Sequence, residues 1–395
     1  MQVELPVTRT WSREEVIQHT VQSKRERVRN AFRQYDQRGY WKKDAYIKMF
    51  VKHEKAEDDP VKPNELGDPR AIQYRTFMHT ALFKQELLPI EVRLWKYGQS
   101  CEPRSPNCER MFSKNLNPRA VAKNLWFGWS QFADPVAHLW DVSRMDAHMH
   151  GALRELIEFP TYRHHNRRVE GFLQAMRRNK CFSKNGVVYE MDYTMCSGEA
   201  CTSSGDSIVM AAALKYIYRN VRHHLLVCGD DSVVVLERTQ EQAIDDCFEA
   251  LGLPVKLEKA YLFEHVEFCQ SRPVMIGGDW LMVRNPRRAI LRGFHCIKNF
   301  TGKALGDWLA SVGVGELESS AGVPVVQKFA EVCMRFGSPR KHFVQEYLEH
   351  RRTCGWKTTA TVTSEARHSL WLAWGISLSE QTTLEEALDR AYRVN

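Results

Sequence analysis

A chain of 395 residues has room for more than one hydrophobic core, because single domains commonly hold about 100–200 residues. Its 43% hydrophobic content, with 11 tryptophans and 13 tyrosines, excludes a disordered polymer. The formal charge of +8, from 56 basic against 48 acidic side chains, suits a polyanionic partner without requiring one. Eleven cysteines have no regular spacing, and the polar start Met1-Gln2-Val3-Glu4 lacks a signal-peptide pattern, so reduced thiols in a cytosolic setting are expected. Cys101 and Cys108, with His164, His165, His223 and His224, fit no familiar zinc spacing and read as ordinary thiols and imidazoles. No apolar run reaches the ~18 residues of a membrane span. The best, Ile208 to Tyr218, is broken by Lys215.

From Trp11 to Tyr40 the pattern is helical and charged, and Lys24, Arg25, Arg27, Arg29 and Arg33 read equally well as a solvated face. Tyr46 to Lys52 predicts a strand. Pro60, Pro63, Gly67 and Pro69 mark an irregular loop that ends in the extended run Ala71 to Tyr74. Val136 to Trp140 is a short apolar run, and Met149, Leu153 and Leu156 recur behind it at helical spacing. Asp141 therefore falls at a strand end and Asp146 near a helix start. Asp146 suits the dipole of that helix as well as a ligand role. Asp141, between apolar segments, is expected to be penalised by desolvation unless something binds it.

Ser197-Gly198 supplies a flexible turn with a hydroxyl and open backbone amides, and an Ala-rich helix follows. Thr202 and Asp206 lie four apart on one face of that helix, where Ser203, Ser204 and Asp206 also suit helix capping. Leu225 to Cys228 and Ser232 to Leu236 read as the arms of a β-hairpin with Gly229-Asp230-Asp231 at the bend. Two neighbouring carboxylates there repel each other and lose hydration, so a divalent cation is their natural partner. Beyond Pro254 the chain passes the Gly277-Gly278 turn and becomes largely helical from about Gly306 to Asn395. The plan is α+β. One Asp from a strand end and one from a hairpin tip predict a two-Mg²⁺ site, and two such ions can clamp both oxygens of an in-line phosphoryl displacement.

Asp141-x4-Asp146, Ser197-Gly198-x3-Thr202 and Gly229-Asp230-Asp231, in this order and at these separations, resemble motifs A, B and C of viral RNA-dependent RNA polymerases. The wording is most similar to tombusvirus-like enzymes of positive-strand RNA viruses. Pro69 to Arg75 resembles motif F, Gly252 to Glu258 motif D, and Glu267 to Val274 motif E. The likeness runs from about residue 48 to 295.

This resemblance implies a right-hand polymerase with an antiparallel-sheet palm and a helical thumb. Fingers are expected over 1–130 and 151–188, palm over 131–150 and 189–285, and thumb over 286–395. The implied activity is template-directed RNA synthesis from ribonucleoside triphosphates. Asp141 and Asp230, with Asp231 beside them, would hold two Mg²⁺ ions, for which Mn²⁺ could substitute. Arg70 and Arg75, with Lys52 or Lys55 nearby, would contact the triphosphate, although the same residues also read as a basic solvated hairpin. Lys256 matches the motif D lysine that protonates pyrophosphate, with Lys259 close enough to compete. Ser197, Gly198 and Thr202 belong to the substrate-facing loop. Asp206 stands where the family usually has Asn, so two acids, Asp146 and Asp206, would meet one ribose 2′-hydroxyl. The expectation is that Asp206 accepts from that hydroxyl, with Asp146 reoriented or one of the pair protonated.

A thumb aromatic such as Trp356 or Trp371 could stack an initiating nucleotide. A reverse transcriptase is disfavoured by Cys228 before the acids and by Asp146 at the position that would exclude a 2′-hydroxyl. The other alternative is an inactive polymerase-like subunit for RNA binding or assembly, which the presence of every metal-side acid opposes. Expected partners are template and nascent RNA, nucleotides, and viral or host membrane-anchoring replication factors in the host cytoplasm.

Overall fold

The structure, a computed structural model, describes residues 7–52, 70–98, 101–102, 109–243, 248–348 and 353–393. Among them the strands, in chain order, are β1 (Ile47–Val51), β2 (Ala71–Tyr74), β3 (Cys101–Glu102), β4 (Pro135–Val142), β5 (Arg178–Ser183), β6 (Val188–Asp192), β7 (His223–Cys228), β8 (Asp231–Glu237), β9 (Val255–Ala260), β10 (Ser271–Ile276) and β11 (Asp279–Arg284). Helices fill most of the intervals, which makes the fold α+β as the sequence predicts. The strands that carry the acidic motifs belong to one sheet of order β3-β7-β8-β4-β9. The described cysteine side chains are free thiols. No described helix is long and apolar enough to cross a membrane.

The chain divides into two compact units. The first comprises Met1–Phe112, Trp140–Val234 and Thr239–Glu258. Its N-terminal helix Arg13–His19 opens with a capping box between Ser12 and Glu15. Val16 and Ile17 then pack with Val28, Ala31 and Phe32 of the helix Gln22–Arg38 and with Met78, Ala81 and Leu88 of the helix Phe77–Tyr97. Beside this bundle lies a sheet of order β2-β1-β5-β6, antiparallel except for the β1–β5 pair. The helix Thr202–Ile217 is buried from Ser204 to Ala211. Its Ser, Gly and Ala side chains are small enough for neighbouring backbones to approach on every side. The Tyr218 hydroxyl accepts from Trp140 Nε1 at 2.9 Å, and the Trp140 ring lies 4.8 Å from Phe248.

The second unit comprises Ser113–Leu139, Val235–Arg238 and Lys259–Asn395. The β10–β11 hairpin turns at Gly277-Gly278, both left-handed, and pairs from Ser271↔Arg284 to Ile276↔Asp279. Val274, Leu281 and Val283 of that hairpin pack with Val323, Val326, Leu370 and Ala373. The helices Gly302–Ser320 and Val326–Met334 meet around Gly313, where an added Cβ would sit 2.5 Å from the Ala330 carbonyl oxygen.

Burial keeps three imidazoles of the first unit neutral, lowering His79 and His165 to about 4 and His224 to about 3. Arg75 beside His79, His164 and Arg93 beside His165, and His223 beside His224 push the same way. An unfolded histidine titrates near about pH 6.5, so on acidification the unfolded chain takes up protons that the folded chain refuses. The histidines' contribution is therefore complete above about pH 6.5 and is lost as the pH falls toward about 4. Urea midpoints should fall across that window, and His79→Phe should make the fall shallower. Equal slopes for the two proteins would contradict the reading.

Candidate active site

Strands β7 and β8 are joined by Gly229 and Asp230 alone, and both strands are apolar and buried along most of their length. Gly229 has φ +67°, a left-handed backbone that favours glycine. Its N–H donates to Ser207 Oγ at 2.8 Å, while that hydroxyl donates to the Ser203 carbonyl at 2.6 Å. The helix Thr202–Ile217 thus holds the turn in place. Asp230 stands exposed at the tip, and Asp231 is half-buried as the first residue of β8. Asp141 projects from the open side of β4 between buried Trp140 and Val142. The desolvation expected for Asp141 is thereby corrected: strand alternation, not an apolar enclosure, sets its surroundings. Loss of hydration raises the Asp230 carboxyl above its usual range and the charge of Asp141 adds to this, while the backbone amides of Asp230 and Asp231 pull it back.

Asp146 lies in the first turn of the four-residue helix Met145–His148, half-buried, and its carbonyl accepts from Met195 N–H at 3.1 Å. Asp206 is 6% exposed. It is the fifth residue of a helix whose N-cap is Cys201, too far along to cap it. The two carboxyl groups share a hydrogen bond. Burial first, and then the charges of Asp146 and Glu158, hold Asp206 well above the carboxylate range. Burial also raises Asp146, but the bond from Asp206 opposes it. Both effects favour Asp206 as the member that keeps a proton and Asp146 as the acceptor. A neutral Asp offers one donor and one acceptor, an inventory close to that of Asn at the same place. Asp206 Oδ1 is buried with no protein partner. Asp206 is thus the more deeply buried of the two, and Asp146 the more accessible.

The loop before the helix is fastened to the outer edge of β2. Gly198 N–H donates to the Gln73 carbonyl at 2.8 Å, and Ser197 Oγ donates to the Ala71 carbonyl at 3.2 Å. The Gln73 N–H in turn donates to Ser197 Oγ at 3.3 Å. Thr202 Oγ1 closes the loop by donating to the Cys196 carbonyl at 2.8 Å. Arg75 is 2% exposed, and its guanidinium donates to Glu199 Oε2 and to Asn179 Oδ1, each at 2.6 Å, and to the Ala45 carbonyl. Arg75, expected at the triphosphate, is instead turned into the fold, where each nitrogen of its guanidinium has a partner. Sequence reasoning also missed Glu199, Ser207, Arg154 and Glu158. Only the last two left a signal, an i, i+4 pair of opposite charges.

Lys52 and Arg70 are exposed where the chain leaves β1 and enters β2, and Lys52 N–H donates to the Arg70 carbonyl at 2.8 Å. Lys55 lies outside the described residues. Lys256 projects from β9, mostly exposed, in an ion pair with Glu258. The sheet order makes β9 the neighbour of the strand that carries Asp141. Among the described residues no three His, Cys, Asp or Glu side chains converge as a ready-made cation site. The donor set is instead the mutually repelling Asp141 and Asp230, with Asp231 alongside. Such hard oxygens suit Mg²⁺, which commonly takes one or two protein carboxylates and completes its shell with water and substrate phosphates.

The sequence pattern of the family described as viral RNA-dependent RNA polymerase matches residues 2–393. The chain belongs to that family. It is 30% identical over 363 residues to an RNA-directed RNA polymerase of Tomato bushy stunt virus (strain Cherry), covering 88% of this chain and 43% of that protein. The RNA-directed RNA polymerase of Cucumber necrosis virus is 30% identical over 377 residues, with 88% and 43% covered. That of Groundnut rosette virus (strain MC1) is 28% identical over 413 residues, with 96% and 46% covered. The tombusvirus-like resemblance is thus borne out, and the chain spans less than half the length of these relatives.

Removing one partner of a buried ion pair strands the other charge, at a cost of about 3–5 kcal/mol. Arg75→Met should therefore lower the unfolding free energy by about that much, read from urea denaturation. A phosphate-binding Arg75 would instead weaken nucleotide binding and leave the urea midpoint where it was.

Proposed function

We propose that this chain carries out template-directed synthesis of RNA from ribonucleoside triphosphates, replicating the genome of a positive-strand RNA virus. The observation that carries this reading is the placement of Asp141 and Asp230 within each other's field, with the Asp146–Asp206 pair felt by the same Asp230. Together with family membership, this supports nucleotidyl transfer rather than an inactive RNA-binding subunit.

Asp141 and Asp230, with Asp231 beside them, would hold two Mg²⁺ ions. When bound, these supply charge neutralisation at the phosphates and a lowered pKa for the RNA 3′-hydroxyl. Exposed Arg70 and Lys52, with Lys55, bind the triphosphate. Lys256 donates a proton to the departing pyrophosphate. Asp146 accepts from the ribose 2′-hydroxyl, and Asp206 orients it. Ser197, Gly198 and Thr202 form the loop that borders the nucleotide. In this reading residues 1–130 and 151–188 are fingers, 131–150 and 189–285 palm, and 286–395 thumb. Template and nascent RNA are the macromolecular partners, and a membrane-anchoring replication factor, viral or host, would bring the chain from the host cytoplasm to a replication site.

The test is incorporation of labelled nucleotides by the purified chain on primed and unprimed RNA, with products resolved by length. Template-length product that requires Mg²⁺ and disappears in Asp141→Ala and in Asp230→Ala is expected. Undiminished synthesis by Asp230→Ala would overturn the assignment.

A further inference from the structure

Behind Asp206 lies a second charged pair that nothing in the proposed chemistry uses. Arg154 and Glu158 occupy one turn of π-helix and are 1% and 0% exposed. Arg154 Nε donates to Glu158 Oε2 at 2.7 Å, and its NH2 group donates to Oε1 at 3.3 Å. The third nitrogen donates to the Tyr193 carbonyl at 2.8 Å, fixing a residue with φ +59° just ahead of the Ser197-Gly198 loop. Glu158 presses against the helix that carries Asp206: a Cβ added at Gly205 would lie 2.6 Å from Glu158 Oε1. Glycine at 205 is what permits that approach. The charged groups facing Asp206 are Asp146, Glu158 and Asp230, and Arg154 is the cation whose field reaches Asp146.

A buried guanidinium that loses its anion is left as an uncompensated charge, and its field favours ionisation of the acids around it. With Glu158 absent, the acids in the field of Arg154 are Asp146 and Glu199, and Asp206 loses the neighbouring negative charge that disfavours its own ionisation. Resting on the polymerase reading above, we propose that Glu158 is a positioning residue for sugar selection: it occupies Arg154, so that Asp206 remains a hydrogen-bond donor to Asp146. An ionised Asp206 has no hydrogen to give, repels Asp146 and releases the oxygen that meets the 2′-hydroxyl. Ribose recognition in this chain then depends on three carboxyl groups, two of them buried, and one arginine, in place of one acid and one amide.

Two readouts test this, one of them independent of catalysis. In infrared spectra of the nucleotide-free, Mg²⁺-free chain, a neutral carboxyl band should vanish in Asp206→Asn and also in Glu158→Gln. It should return in the doubly substituted R154M/E158Q chain, where no stranded cation remains. In primer extension, Glu158→Gln should lower the preference for ATP over 2′-deoxy-ATP, as the ratio of kcat/KM, by at least about tenfold. The double variant should recover it. A neutral Asp206 band that survives in Glu158→Gln overturns the proposal, as does equal loss of both substrates in the single and the double variant, the mark of a merely structural pair. Absence of synthesis by the unsubstituted chain would sink the polymerase reading, while the infrared series would still decide the role of Glu158.

Discussion

Mutual repulsion among carboxylates is the constraint around which the first unit is built. Asp146, Glu158 and Asp230 all act on Asp206, and Asp141 acts on Asp230. The fold meets this in three ways, graded by depth. At the surface, Asp141 and Asp230 project from a strand and a hairpin tip, where an added cation can reach them. One layer in, a proton on Asp206 turns a repulsive pair into a hydrogen bond. In the deepest layer, where neither water nor a metal ion has access, Arg154 supplies a permanent counter-charge. Each device suits its depth, because the cost of a bare charge rises as hydration falls.

The helix Thr202–Ile217 ties these layers together. Its first residue closes the Ser197-Gly198 loop, its fourth lies on Glu158, its fifth bonds Asp146, and its sixth holds the Gly229 turn. All four contacts fall within two turns, so a shift of the helix by a fraction of an ångström disturbs every acidic motif at once. Small side chains make that density possible. A bulkier residue at 205 or 207 would push away Glu158 or the hairpin turn, and close-packed interiors leave no slack to absorb it.

Much of this was legible in the sequence, and what was not has a physical reason. The hairpin around Asp230 announced itself through two short apolar runs flanking a glycine, a local pattern that needs no tertiary context. The strand before Asp141 and the helix after Ser197-Gly198 were equally plain. Arg75 was misread because a basic residue beside an exposed strand is usually solvated, and only the remote Glu199 and Asn179 draw it inward. Asp206 resembled a helix cap until the helix start was placed four residues earlier, at Thr202. Glu158 and Arg154 looked like a surface i, i+4 pair, since charged residues are rarely buried and sequence alone does not tell which side of a helix faces the core. The Ser207–Gly229 bond joins residues whose types carry no special chemistry, so no local signal marked it.

The burial of Arg75 also bears on how the triphosphate is held. Glu199, with one oxygen bound to Arg75 and the other buried without a partner, has in that cation the one charge among the described residues that answers its own at hydrogen-bond distance. A residue committed to that role cannot turn outward without stranding an acid in the core. Arg70 and Lys52, the residues proposed for the triphosphate, are exposed beyond the ends of β2 and β1, their backbones joined by the Lys52 N–H to the Arg70 carbonyl. Ser197 and Gly198 bond to the main chain of β2 beside them. One short strand thus couples the residues proposed for the phosphates to the loop proposed for the ribose and base. Arg75, one residue past the end of that strand, ties it to Glu199 and Asn179 inside the fold.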